Sequence, residues 1–150
     1  MPTLKLDIPG EVKGLARPRA SSFGGHVRMY DPSSNINEKG RLQVHLRDAI
    51  NREHLQRSLS CSPKGYALDV VAYFKCPKSM SKKSREAALN GDMKVMKKPD
   101  GDNVLKTIGD AWNGILWDDD SMVTHFSIDK CYAETEHMEI TVSWEEGHAD

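Results

Sequence analysis

Lys98-Pro99-Asp100-Gly101-Asp102-Asn103-Val104-Leu105-Lys106-Thr107-Ile108-Gly109-Asp110-Ala111-Trp112-Asn113-Gly114-Ile115-Leu116-Trp117-Asp118-Asp119-Asp120 sets the fold and the chemistry of this chain together. Val104, Ile108, Ala111, Trp112 and Ile115 fall at i, i+4, i+7, i+8 and i+11, one apolar stripe, so a helix is expected from near Asp102. Asn113-Gly114 suits its C-terminal stop. Pro99 and Gly101 keep the lead-in out of the helix. In such an extended approach, residues two apart project to one side, so Asp100 and Asp102 can converge. Together they offer hard oxygen ligands of the kind Mg²⁺ takes. Taken alone, Asp102 reads equally as a helix N-cap, whereas Asp100 precedes the cap. A calcium loop of the EF-hand type does not fit, because its fifth, sixth and twelfth positions hold Val104, Leu105 and Ala111.

Asp118-Asp119-Asp120 is the second acidic feature. Three adjacent carboxylates repel one another unless water or a cation neutralises them. In isolation this is a solvated turn, but Ile115-Leu116-Trp117 before it and Met122-Val123 after it put it at the edge of the core. Spacing leaves open whether Asp120 reaches Asp100 and Asp102 through tertiary folding or from another chain. Lys106, four residues after Asp102 on the same helical face, either pairs with it or contacts a phosphate.

Working outward, residues 3–9 alternate and read as a first strand ended by Pro9-Gly10. A basic segment broken by Gly14 and Pro18 follows, then a turn-rich loop from Ser21 to Gly25. His26 to Tyr30 reads as a short strand stopped by Asp31-Pro32. Residues 37–58 read as a helix on the spacing of Leu42, Leu46, Ile50 and Leu55, with Val44 off the stripe. Ala67 to Phe74 is a buried strand ended by Pro77. Residues 78–98 are a basic connection with a short helix from Ser81 to Leu89, closed by Asn90-Gly91. Met122 to Tyr132 and Met138 to Trp144 are expected to be the last two strands, paired through a polar turn from Glu134 to His137. Glu145 to Asp150 is expected to fray. The whole is expected to be one domain, 1–150, of mixed α/β (α+β) class: a small few-stranded mixed sheet with helices packed on it.

A length of 150 residues suits one core, and 38% apolar with 29% charged residues is an ordinary soluble balance. There is no run of about 18 apolar residues and no signal-peptide pattern, so a cytoplasmic, non-membrane protein is expected. Cys61, Cys76 and Cys131 lack CxxC spacing and are read as reduced thiols, and the six histidines are scattered. The net charge of −1 hides a strong asymmetry. Residues 1–66 carry 11 Lys and Arg against 6 Asp and Glu, residues 67–108 carry 9 against 5, and residues 109–150 carry 1 against 11. Lys13, Arg17 and Arg19 flank the Gly/Pro-broken loop, and Lys82, Lys83, Arg85, Lys94, Lys97 and Lys98 lead up to Asp100. Carboxylates that hold a cation, beside cations that hold phosphate, suit metal-assisted phosphodiester hydrolysis.

The run from Lys98 to Lys106, continuing through Asp110 to Val123, resembles the RusA family of Holliday junction resolvases. Members carry a pattern like K-P-D-x-D-N-x-x-K, then D-A-x-N-G, then D-D-S-Q-V. Lys13-Gly14…Arg17-Pro18-Arg19 is similar to the K-G-R-P-R segment of members encoded by phages and prophages, and residues 77–85 to their basic loop. The resemblance implies a homodimeric RusA-like fold whose two sites cut opposed strands of branched, four-way DNA in recombination and repair. No other protein partner is implied. It places the essential aspartates on Asp100, Asp102 and Asp120, with Asp119 as a further metal ligand and Lys106 as the motif lysine. It also implies Mg²⁺, with Mn²⁺ as a substitute. Lys13, Arg17, Arg19, Lys82, Lys83, Arg85, Lys97 and Lys98 are the expected DNA-binding residues. Two departures stand out. Met122 occupies the position where many members have Gln, and Leu15-Ala16 are inserted in the basic segment. Two other readings stay open on the residues alone: a non-cleaving branched-DNA-binding module, and a Mg²⁺-dependent nucleotide pyrophosphatase.

Overall fold

A computed structural model describes residues 2–16, 19–30, 33–60 and 63–147. In chain order these form β1 (Thr3–Pro9), β2 (Arg19–Phe23), β3 (His26–Tyr30), α1 (Ser33–Arg52), α2 (Gln56–Leu59) and β4 (Tyr66–Lys75). Then come α3 (Lys82–Leu89), α4 (Gly101–Ala111), a 3₁₀ turn (Asp120–Met122), β5 (Val123–Ala133) and β6 (His137–Trp144). Four strands make one mixed sheet in the order β1-β6-β4-β5, and β2 and β3 pair as a separate hairpin. The mixed α+β class read from the sequence is the class observed.

Alternation decides which face of the sheet is buried. Leu4, Leu6 and Ile8 of β1, Met138, Ile140, Val142 and Trp144 of β6, and Leu68, Val70, Ala72 and Phe74 of β4 all point into one core. Helices α1 and α4 cover that face and touch each other. Trp112 and Trp117 fill the space beneath them, and each indole N–H finds a carbonyl, Leu42 O at 3.0 Å and Gly109 O at 3.1 Å. Burying an indole without such a partner is costly, so these bonds also fix ring orientation. The other face is polar. Tyr73 stacks on His137 at 4.5 Å, and Asp69 accepts from His125 and Ser127.

Three expectations are corrected. First, β5 and β6 are not a hairpin. β4 lies between them, parallel to β5 and antiparallel to β6. Every second residue of β6 from Met138 to Trp144 is buried, which suits a central strand, while β5 forms the edge with Phe126 exposed. Second, residues 19–23 are a strand, and only Gly24 and Gly25 turn, both at positive φ (60° and 82°). Two consecutive positive φ values are what a tight hairpin needs, so Gly-Gly was the available signal. Third, the long helix runs Ser33–Arg52, not 37–58. The chain then turns at His54 (φ 54°), leaving residues 56–59 as a separate short helix.

The remaining elements lie close to their expected places. Ser81 caps α3 by accepting from Ser84 N–H at 3.2 Å, and Gly91 follows it at φ 85°. Glu145 and Glu146 are tied back, through Lys64 N–H to Glu145 O and Ser58 Oγ to Glu146, and 148–150 lie outside the described residues. Cys76 and Cys131 are free, and Cys61 lies outside the described residues, as does the Asp31-Pro32 stop. Among the described residues no helix is long and apolar enough to cross a membrane.

The orientation of α1 can be tested with one pair of variants. Leu46 is fully buried and Val44, two residues earlier, is 65% exposed. Leu46→Ala should cost about 2–5 kcal/mol in urea unfolding, and Val44→Ala no more than about 0.5 kcal/mol.

Candidate active site

The lead-in places Asp100 at the N-cap position of α4, in extended geometry (φ −65°, ψ 149°), with Asp102 in the first turn. The cap position thus falls to Asp100, two residues before the alternative weighed for Asp102. The Asp100 side chain makes no capping bond. Among the described residues, neither carboxylate accepts a hydrogen bond, and Lys106 forms no ion pair with Asp102. Both acids and the lysine are exposed. Lacking these local partners, they are free to engage a ligand.

Asp100, Asp102 and Lys106 line an open cleft of about 930 Å³, joined by Lys13 and Lys98. Its opposite wall is the segment 11–16, which has no regular structure. Side chains from three elements hold the segment by its backbone. Arg41 of α1 donates to Pro9 O at 2.6 Å and Glu11 O at 3.1 Å. Glu136, in the turn before β6, accepts from Val12 N–H at 3.0 Å. Asn103 of α4 accepts from Leu15 N–H and donates to Leu15 O, both at 3.2 Å. Asn35 of α1 does the same to Ala16, at 2.8 Å and 2.9 Å.

Nothing in the local sequence marks Asn35, Glu38 or Glu11 as cleft residues. Asn35 and Glu38 arrive there because α1 lies beside α4, and Glu11 because its segment forms the opposite wall. Asn103 carries no sequence signal of its own beyond its place directly after Asp102. The Glu38 side chain is 4% exposed, and Arg41 pairs with it through two nitrogens at 2.8 Å and 3.1 Å. That pairing neutralises the buried acid, which leaves Asp100, Asp102 and the exposed Glu11 as the unpaired carboxylates of the cleft among the described residues.

Asp120, at the start of the 3₁₀ turn, packs against α4 at Gly109. A Cβ added to Gly109 would lie 3.3 Å from Asp120 Cβ and 3.4 Å from its Oδ2. Gly109 follows Asp102 by seven residues, so the two share a helical face about 10 Å apart along the axis, with Lys106 between them. Among the described residues, no three His, Cys, Asp or Glu side chains converge closely enough to hold a metal ion. The structure therefore places Asp100 and Asp102 in one cleft and packs Asp120 against Gly109, further along the same helix.

Asp119 caps the 3₁₀ turn, accepting from Ser121 N–H at 3.0 Å. Hydrogen bonding from the Ser121 side chain, and then from its backbone, holds the Asp119 carboxyl below the usual range. One of its oxygens is thus engaged. Asp118 is exposed, and its charge adds to burial in raising the Tyr66 phenol.

The basic residues divide in the same way. Lys13 and Lys98 line the cleft. The Lys97 ammonium sits 5.4 Å from the centre of the Phe74 ring, and the Lys97 carbonyl accepts from Lys130 at 2.6 Å. Lys82, Lys83 and Arg85 lie on α3, which packs on β5. Lys94 is exposed, Arg19 opens β2, and Arg17 lies outside the described residues.

Two hard oxygen donors without local partners, with three ammonium groups around the same cleft, fit Mg²⁺ held by one or two carboxylates and a substrate phosphate. The family model described as endodeoxyribonuclease RusA matches residues 9–143. The chain is also 31% identical over 144 residues to the uncharacterized protein YqaN of Bacillus subtilis (strain 168), an alignment spanning 95% of this chain and 96% of that protein.

Two measurements follow from the geometry. Asp102 has no bonding partner to lose, so Asp102→Asn should change unfolding free energy by no more than about 1 kcal/mol, the size of a first-turn helix-dipole effect. A loss of several kcal/mol would make the residue structural. For Asp119, whose carboxyl is lowered from 3.8, the stabilising cap is fully present above that value. It is lost as pH falls through the depressed folded value. An NMR titration should place the Asp119 midpoint below 3.8.

Proposed function

We propose that this chain, which belongs to the RusA family of endodeoxyribonucleases, is a Mg²⁺-dependent endonuclease that resolves four-way DNA junctions in recombination and repair. The observation that carries this reading is the cleft itself. Asp100 and Asp102 stand there without bonding partners, facing a segment whose backbone is held in place and whose Lys13 joins Lys98 and Lys106.

Each residue then has a role set by its chemistry. Asp100, Asp102 and Asp120 would hold one or two cations, centred on the Asp100 and Asp102 pair, with Asp119 offering its second oxygen. When bound, Mg²⁺ supplies activation of water and neutralisation of charge at the phosphodiester, and Mn²⁺ can replace it. Lys106 places a compact positive charge beside the two acids, suited to the charge that grows on the phosphate during hydrolysis. Lys13 and Lys98 grip flanking phosphates, which positions the strand without reading its bases. Arg17, Arg19, Lys82, Lys83, Arg85 and Lys97 extend that backbone contact. Paired incision across a junction needs two sites related by a two-fold axis, so the working form is a homodimer acting in the cytoplasm of a bacterial or phage-infected cell.

Purified protein should nick synthetic four-way junctions with Mg²⁺ and leave them intact with EDTA. Asp102→Asn should lower cleavage on the order of a hundredfold or more while junction binding persists. Binding should weaken steeply with salt, with a slope of about 0.9 per phosphate neutralised. Salt-sensitive binding without cleavage under any divalent cation would point instead to a non-cutting module. Turnover of free nucleoside triphosphates would point to a pyrophosphatase.

A further inference from the structure

We propose that Asn103 is a positioning residue that ties the phosphate-binding segment to the helix carrying the acids. It sets Lys13 in register with Asp100 and Asp102. The inference rests on the nuclease reading above and adds to it a named linkage between two parts of the cleft.

Three observations carry it. Asn103 follows Asp102 directly on α4, so its side chain and the carboxylate move as one rigid helical turn. Its carboxamide pairs with Leu15 as a strand would, accepting from the N–H and donating to the C=O, both at 3.2 Å. Thr107, one turn on and buried, accepts from the same Leu15 N–H at 3.0 Å and donates to Asn103 O at 2.7 Å. Two residues of α4 therefore hold the backbone of Leu15, and Lys13 lies two residues before it.

Gly14 shows how closely the parts meet. A Cβ there would lie 2.3 Å from Asn103 Nδ2 and 2.7 Å from its Cγ, closer than real atoms approach. Only glycine lets the carboxamide reach the Leu15 peptide. The glycine is thus required by contact with a residue far away in sequence.

A side chain that merely filled space would leave the effect of Lys13 untouched. A positioning residue makes that effect conditional on itself, and double-mutant cycles on single-turnover cleavage of a four-way junction separate the two. Lys13→Ala should slow wild-type cleavage about tenfold but the Asn103→Ala protein less than about twofold, a coupling expected only of linked sites. Asn103→Ala alone should cost about ten- to a hundredfold, the range produced by misplacing a substrate-holding group by about 1 Å. Asn103→Asp keeps the acceptor for Leu15 N–H and loses the donor, so it should fall between Ala and wild type.

Gly14→Ala provides the reciprocal test and does not depend on how well Asn103→Ala folds. In the wild-type background it should reproduce the Asn103→Ala defect by expelling the carboxamide. Combined with Asn103→Ala, which removes the obstructing atoms, it should add no further loss. Additive effects of Lys13→Ala and Asn103→Ala, or a harmless Gly14→Ala, in a wild-type protein that cuts junctions would overturn this inference alone. A wild-type protein that neither binds nor cuts them would overturn the nuclease reading and this inference with it.

Discussion

The close seating of α4 is the constraint on which the rest of the molecule depends. Its apolar stripe, Val104, Ile108, Ala111 and Trp112, is buried against the sheet and α1, which fixes the rotation of the helix. Glycines fix how near it comes. A Cβ on Gly101 would meet Ile128 of β5 at 3.0 Å, and one on Gly109 would meet Asp120 at 3.3 Å. Once rotation and depth are set, Asp102 and Lys106 can only project from the uncovered face. The core therefore determines where the acids stand, and the acids need no bonds of their own to hold them.

That arrangement explains how polar groups without partners are tolerated at the mouth of the cleft. Exposed carboxylates remain solvated, so leaving them unpaired costs little. The buried polar groups around them are all engaged. Glu38 is paired with Arg41, and Asn35 is bonded to Ala16. Rigidity is thus placed in the cleft wall, in the form of charge-assisted and amide–backbone bonds, while the floor stays free for a ligand. The segment 11–16 has no ladder of its own and borrows donors and acceptors from α1, α4 and the turn before β6.

Asp120 gives the proposed metal centre a different aspect from the one suggested by adjacent motifs. It lies against Gly109, which stands two helical turns after Asp102 on α4. The two acidic signals are joined by one helix and not by mutual contact. The proposed centre is therefore anchored on the Asp100 and Asp102 pair, with Asp119 partly engaged in capping its own turn.

Much of this was legible from sequence because it is local. The helical period placed α4 and its buried stripe, alternation placed β1, a run of β-forming residues placed β4, and Ser81 and Asn90-Gly91 marked the ends of α3. The acidic positions and the family pattern are also local runs, so Asp100, Asp102 and Lys106 could be named directly. What the sequence did not reveal was which strand neighbours which, and which backbone a side chain holds. β6 inserts between β1 and β4, a neighbourhood that its own alternation does not specify, since the edge strand β1 alternates and buries its apolar face in the same way. Asn103 meets Leu15 across 88 residues of chain, a contact no window of sequence contains. Local periodicity determined most of the elements, and short acidic runs marked the candidate acids; the tertiary structure decided the strand order, the cleft and its tied wall, because those arise only when distant segments compete for the same buried surface and the same hydrogen-bond partners.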